Sequence, residues 1–168
     1  MEKFLTRLAN IEDCKKLSLL KREVWETTYR GIYPDSKIDN YDFSKQEEKF
    51  KNIILDNTKT LYVVELNNKL IAYIEFGTPL RPYKDYSQEI GLFYILKDYQ
   101  NQGLGRNLFN IAYNEIKKNG ATNFFISCHK YNLNAKIFYE KMGGTLVDID
   151  EDNENGNCPQ VKFHYDIL

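Results

Sequence analysis

Apolar residues recur along this chain in two periods, and the changeovers fall at short polar or glycine-containing breaks. Phe4 to Leu8 has the pattern of a short opening strand. Asn10, with Asp13 three residues on, predicts a helix start, because the Asn side chain can accept from a free N–H and the acid suits the positive end of a helix. Leu17, Leu20 and Val24 then repeat at helical spacing, and the stretch reads on to Tyr29 before Gly31 and Pro34 end it. Residues 35 to 59 are mostly polar, with a second helical candidate around Lys45 to Leu55. Leu61 to Leu66 is a β-branched and aromatic run, Asn67-Asn68 suits a tight turn, and Leu70 to Phe76 resumes the strand pattern, which predicts a hairpin.

Gly77 to Gln88, holding Pro79 and Pro82, reads as a loop, and Glu89 to Leu96 as a strand. Gly103 to Lys118 reads as a helix with Leu104, Leu108, Ala112 and Ile116 on one stripe, stopped by Asn119-Gly120. Asn123 to His129 is a strand, Asn132 to Met142 a helix, and Gly143-Gly144 a break. Thr145 to Ile149 and Val161 to Ile167 form a final strand pair joined by an acidic loop. The order β-α-α-β-β-β-α-β-α-β-β combines strand–helix–strand units, which need parallel neighbours, with hairpins, which need antiparallel ones. The expectation is an α/β (α+β) fold: a mixed central sheet of about seven strands with helices on both faces. No repeat or linker divides the chain, so residues 1–168 read as a single domain.

Composition narrows the classes. Hydrophobic residues make up 42% and aromatics 14% of the chain, too much apolar surface for a disordered protein. The net charge of -1 gives no global reason to bind nucleic acid or an anionic membrane, and no stretch is apolar enough to span a bilayer. Cys14, Cys128 and Cys158 are widely spaced and odd in number, so they suggest neither a disulfide framework nor a metal cluster, and a reducing cytoplasm is the expected location. With only His129 and His164 beside them, no metal site is expected.

The chemistry concentrates where the strand Glu89 to Leu96 runs through Lys97-Asp98-Tyr99 into Gln100-Asn101-Gln102-Gly103-Leu104-Gly105-Arg106. A helix start offers N–H groups without partners and a partial positive charge, and glycine lets an anion approach closely. Arg106 can add a charge-assisted contact to a phosphate oxygen. The alternative is a tight strand-to-helix turn with no ligand. The stretch is neither a Walker loop, which needs Gly-Lys-Ser/Thr, nor a dinucleotide fingerprint, since Leu108 stands where the third glycine would be.

These residues resemble the Gcn5-related N-acetyltransferase (GNAT) family. Gln100, Gly103 and Gly105 match its Gln/Arg-x-x-Gly-x-Gly/Ala signature after an apolar strand. Downstream, Asn132 to Gly143 is similar to its Asn-x-x-Ala-x-x-Phe-Tyr-Glu-Lys-x-Gly helix, with Asn132, Ala135, Phe138, Tyr139 and Gly143 in place. The likeness covers roughly Leu61 to Tyr139 well, and Trp25, Tyr29, Gly31-Ile32 and Pro34 look like the two-helix opening of many members. The resemblance implies a mostly antiparallel sheet, the acyl-CoA N-acyltransferase fold, and acetyl-CoA as co-substrate with no metal. Main-chain amides of Gln100, Asn101, Gln102, Gly103, Leu104, Gly105 and Arg106 would hold the CoA pyrophosphate. The strand would splay from its neighbour after a bulge, letting backbone groups near Tyr94 and Ile95 pair with the pantetheine arm. Asn132 would hydrogen-bond the cofactor, cap its own helix, or do both. Lys97 stands where the family often has Pro.

Tyr139 is the implied donor to the departing CoA thiolate; the plain alternative is a core tyrosine beside Phe138. Glu89 is the leading base for the acceptor ammonium, against a solvated strand-start residue, with Glu75 in reserve and His129 third. Spacing does not rank them. Asp148, Asp150, Glu151, Asp152 and Glu154 either draw in a cationic acceptor or form a solvated hairpin loop. Trp25, Tyr29, Tyr33 and Tyr83 either line an acceptor pocket or belong to the core. The expected activity is direct acetyl transfer from acetyl-CoA to a primary amine of a small molecule, polyamine or peptide. The rivals are a non-catalytic acetyl-CoA-binding module and an acyltransferase with a different acyl-CoA or acceptor. Nucleic-acid and membrane partners are not expected, and the resemblance is compatible with a homodimer.

Overall fold

A computed structural model describes residues 3–151 and 158–168. The chain begins with β1 (Leu5–Leu8), followed by a 3-10 turn, Ile11–Asp13, that leads into α1 (Cys14–Val24). Asn10 caps this start as its sequence suggests: its Oδ1 accepts from the Glu12 N–H (3.0 Å), and its own N–H donates to Asp13 Oδ2 (2.8 Å). Cys14, Leu17, Leu20 and Val24 form the buried stripe of α1. The helical path does run on to Tyr29, but Trp25–Tyr29 is a π turn, which rotates the last side chains relative to the α1 stripe. A short α2 (Asp35–Asp39) buries only Ile38 and so leaves no periodic signal in the polar stretch where it lies. Next comes α3 (Phe43–Leu55), which starts two residues earlier than the pattern suggests because Asp42 caps it by accepting from the Lys45 N–H (3.0 Å).

The hairpin β2 (Lys59–Leu66) and β3 (Lys69–Gly77) turns through Asn67 and Asn68, both with left-handed φ (49° and 68°). The rest follows as β4 (Glu89–Ile95), α4 (Leu104–Lys118), β5 (Asn123–His129), α5 (Leu133–Lys141), β6 (Thr145–Asp150) and β7 (Gln160–Asp166). The seven strands form one sheet in the order β1-β2-β3-β4-β5-β7-β6, antiparallel throughout except at β4–β5. This is the mixed, mostly antiparallel sheet that the resemblance implies.

Strand alternation assigns the two faces. Tyr73 packs its ring on Phe50 of α3 (centroids 5.4 Å apart), so its face is the one under α1 and α3. Tyr62, opposite Ile74 on the other face, hydrogen-bonds the Glu115 carboxylate of α4. Phe93, opposite Ile74 as well, stacks on Phe138 of α5 (5.8 Å), which puts α4 and α5 on the same side. β3 is buried along nearly its whole length between these layers, which is why its sequence reads as a continuous apolar run. No helix among the described residues is long and apolar enough to cross a membrane.

Candidate active site

The site begins with a failure of strand pairing. β4 and β5 pair only at Glu89 with Phe125 and Ile90 with Ile126, and beyond those residues the strands part. The cause lies on the other edge of β4, where its register with β3 shifts between Glu75 and Phe76 and leaves Gly91 as the extra, bulged residue. A bulge bends its strand and increases local twist, here away from β5. The Leu96 N–H donates to the Ile71 carbonyl (3.0 Å), and alternation from that bond turns the main-chain groups of Tyr94 and Leu92 toward β3. The groups of Phe93 and Ile95 therefore face the gap. Of the two residues singled out from sequence for this edge, Ile95 is turned into the gap; the Tyr94 main chain is engaged with β3, and Phe93 takes its place. The bulge resets the alternation, so the facing could not be counted from the sequence.

At the end of β4, a 3-10 turn Lys97–Tyr99 leads to the Gln100–Gly103 loop and the start of α4. Asn101 and Gly103 have left-handed φ (59° and 85°), and such turns aim consecutive N–H groups at one point. The Gln100 N–H, expected from sequence in the cradle, instead donates to the Lys97 carbonyl (3.2 Å) and closes the 3-10 turn, whereas the main-chain N–H groups of residues 101 to 106 have no acceptor among the described residues; the helix ladder begins with the Asn107 N–H donating to the Gly103 carbonyl. Six free donors at a helix N-terminus fit a diphosphate, and a Cβ built on Gly103 would meet nothing within 4 Å, so the approach is open. Gln100 and Gln102 turn their side chains inward, Gln100 donating to the Ile95 carbonyl (3.0 Å) and Gln102 to the Asp98 carbonyl (3.1 Å), so they brace the loop. Leu104 is buried in the core, while Arg106 is exposed beside the free amides.

Across the gap, Asn132 caps α5: its Oδ1 accepts from the Ala135 N–H (3.2 Å) and its Nδ2 donates to the Tyr29 hydroxyl (3.4 Å). Tyr139, two turns along α5, lines the same space and is 4% exposed. Its hydroxyl makes no hydrogen bond among the described residues. Burial pushes that phenol well above its usual pKa, so it stays protonated and can donate.

The gap opens on the α1 side into a cleft of about 600 Å³. Glu89, opposite Gly77 and Phe125, lines it, with burial raising its pKa against the pull of Lys59, a backbone hydrogen bond and Lys162. Glu75 lies behind Glu89 and does not line the cleft. Its carboxylate packs over the bulge, within 2.4 Å of where a Gly91 side chain would begin, and burial pushes its pKa up to about 7. His129 does line the cleft, but its Nδ1 accepts from the Tyr131 N–H (3.1 Å), which occupies the lone pair a base would need. Tyr29 and Tyr33 stack (4.4 Å) and, with Tyr83, form aromatic walls. Trp25 stands behind them, packed edge-on against Tyr33 and Tyr41, as core. Of the acidic stretch, Asp150 lines the cleft and Asp148 accepts from the Tyr83 hydroxyl (2.9 Å); Glu151 is exposed, and Asp152 and Glu154 lie outside the described residues. No group of three or more acidic, histidine or cysteine side chains among the described residues is placed to hold a metal.

Residues 21–144 match the family model described as "Acetyltransferase (GNAT) family". The chain is similar to the spermidine N(1)-acetyltransferase of Thermoplasma acidophilum, 29% identical over 149 residues that cover 86% of this chain and 89% of that protein. It is also similar to the β-lysine N(6)-acetyltransferase of Methanococcus maripaludis, 24% identical over 168 residues, 99% of this chain but 56% of that protein. Among solved structures, the PaiA N-acetyltransferase of T. acidophilum in complex with coenzyme A superposes with a TM-score of 0.78 at 24% identity, covering 97% of this chain and 99% of that one.

Proposed function

The chain belongs to the acetyltransferase (GNAT) family, and from that premise we propose that it transfers the acetyl group of acetyl-CoA directly to a primary amine. The observation that carries this reading is the open β4 edge leading straight into six amides without acceptors, an extended thiol arm's path ending at a diphosphate's site. The Phe93 and Ile95 main chains would hold the arm as an added strand, and residues 101 to 106 with Arg106 would hold the phosphates. Asn132, while capping α5, keeps its side chain at the cleft wall, where it can also touch the arm.

Acetyl-CoA supplies an acetyl group on a thioester, so transfer forms an N–C bond and breaks the C–S bond. Glu89 takes one proton from the entering ammonium and passes it to water; burial raises its pKa, which makes it a stronger base than an exposed carboxylate. The Ile95 N–H, facing the gap, can polarise the acetyl carbonyl. Tyr139 gives its hydroxyl proton to the departing sulfur and is refilled by the second proton that the amine loses on becoming an amide.

The reading is tested by following free thiol during incubation with acetyl-CoA and a panel of polyamines, amino acids, aminoglycosides and peptides with free N-termini. Thiol release with at least one amine, and a product heavier by one acetyl group, is the expected result. Thermal stabilisation by acetyl-CoA with no release across the panel would identify a binding module instead. Faster release with propionyl- or succinyl-CoA would reassign the acyl donor.

A further inference from the structure

Resting on Glu89 as the base of that transfer, we propose that Glu75 is a positioning residue for it: the two carboxyls share Lys59 as their cation, and the charge on Glu75 sets how firmly Glu89 holds a proton. The sheet register brings the three together. Lys59 of β2, Gly77 of β3 and Glu89 of β4 lie on one rung, and Glu75 stands two residues back along β3, diagonal to both. Diagonal neighbours on one face are roughly 7–8 Å apart, within reach of long side chains. Gly77 puts no side chain between Lys59 and Glu89, and a Cβ there would run into the Thr58 carbonyl oxygen at 2.1 Å. Lys59 Nζ lies 3.4 Å from Glu75 Oε1 and donates to the Thr78 carbonyl. Glu75 Oε1 is buried without a hydrogen bond among the described residues, and Oε2 packs over Gly91, the bulged residue that lines the cleft.

One ammonium cannot neutralise two carboxylates. Burial is the largest influence on each carboxyl and raises both pKa values; Lys59 comes next and lowers both. The other groups facing the pair divide unequally. The Leu80 N–H and Lys162 draw Glu89 toward its ionised form, whereas Glu89 and Asp56 hold Glu75 in its neutral form. Glu89 therefore ionises first, and Glu75 keeps its proton up to a pKa of about 7. Repulsion between two charges is mutual, so each ionised carboxyl strengthens the other's hold on a proton, and the pair titrates in two coupled steps. Below the second step Glu89 works beside a neutral Glu75. Above it Glu89 works beside an ionised one and is the stronger proton acceptor.

The test follows kcat/KM by thiol release from pH 5.5 to pH 9, with the fastest amine of the panel above. The ratio of Glu75→Gln to wild type cancels the ionisation of the amine itself. Gln stands in for the neutral carboxyl, so that ratio should fall by about threefold or more between pH 6 and pH 8.5. Lys59→Gln should move the acidic limb of the profile upward by about half a pH unit or more, and Lys59→Arg, which keeps the cation, should restore it. A ratio that is constant with pH would make Glu75 a structural group and overturn the inference, with amine acetylation left standing. Carbon-13 NMR of wild-type protein labelled at the glutamate Cδ positions gives a readout that needs no turnover. The Glu89 signal, assigned with Glu89→Gln, should titrate in two steps, the second coinciding with the Glu75 signal. A single step at Glu89 would equally overturn the inference. If no amine releases thiol, the transfer reading fails, and the NMR titration still decides whether the two carboxyls are coupled.

Discussion

The ring of Phe138 occupies the space that a side chain at Gly105 would need: a Cβ there would lie 3.2 Å from both Cε2 and Cζ of that ring, and 3.4 Å from Ile95 Cδ1. Two sequence signatures far apart in the chain are therefore one packing unit, in which the second glycine lets α4 and α5 close over the end of β4. Gly105 has no left-handed backbone to protect, so only this contact opposes a larger residue. Gly105→Ala should destabilise the fold by about 1–2 kcal/mol through overpacking. Phe138→Leu in the same chain should recover part of the loss, giving a coupling that urea unfolding of the four species in the double-mutant cycle would measure. Simple additivity would show that the contact relaxes without cost.

Gly103 behaves differently. Its φ of 85° favours glycine, yet a Cβ would meet nothing within 4 Å. Gly103→Ala should cost about 1–2 kcal/mol for the left-handed conformation and leave acetyl-CoA binding within a few fold. Gly103→Glu should melt close to the Gly103→Ala variant yet lose retention on a CoA resin, because its carboxylate would stand among the six free amides. Normal retention of the Glu variant would move the phosphates elsewhere.

The contrast between these glycines shows what could be read from the chain. The seven strands, the Asn10 cap, the Asn67-Asn68 turn and the helix stripes were legible because each is a local pattern with one period. The free amides from Asn101 to Arg106 were legible as unpaired donors because a helix start leaves them so, whereas their assignment to a diphosphate came from the family resemblance. The Asp35–Asp39 helix was not, since a single buried Ile38 makes no period. Nor was the facing of Phe93 over Tyr94, which depends on a bulge set by the packing of Glu75 against Gly91. The standing of Glu89, Glu75 and His129 rested on burial and on one long-range strand register. Only the folded chain shows that His129 spends its lone pair on Tyr131.

Tyr139→Phe removes a hydroxyl that hydrogen-bonds no described residue, so it should fold normally and bind acetyl-CoA with little change. Steady-state rates with the best acceptor should fall by about 10²-fold or more, the typical worth of a positioned proton donor. A matching loss of acetyl-CoA affinity by calorimetry would assign the hydroxyl to binding instead.

Glu89→Gln should lower kcat/KM most where the acceptor is an ammonium ion, by about 10²–10⁴-fold near neutral pH. As pH rises toward the pKa of the amine, free amine becomes abundant and the deficit should shrink. A deficit constant from pH 7 to pH 10 in the pH–rate profile would make Glu89 a positioning group and return proton removal to solvent.

Glu75 provides a test independent of activity. Its carboxyl is 5% exposed; Lys59 Nζ approaches Oε1 at 3.4 Å, yet that oxygen has no hydrogen bond. Burial is the largest influence and raises its pKa to about 7, with the nearby Glu89 pushing the same way and Lys59 opposing. A carboxyl in the unfolded chain titrates near 4.3, so between that pH and about 7 the folded protein holds a proton that the unfolded chain has lost. Stability from this group is therefore full below pH 4.3 and is lost as pH rises through 7. At 1.36 kcal/mol per pKa unit the change is about 3 kcal/mol. Glu75→Gln abolishes the titration, so its stability relative to wild type should rise by that amount between pH 4.5 and pH 8. Urea unfolding of both proteins at the two pH values gives the difference, with contributions from His129 and the carboxyls remote from Glu75 cancelling to first order. A difference that does not change with pH would mean that Lys59 outweighs burial and keeps Glu75 ionised throughout.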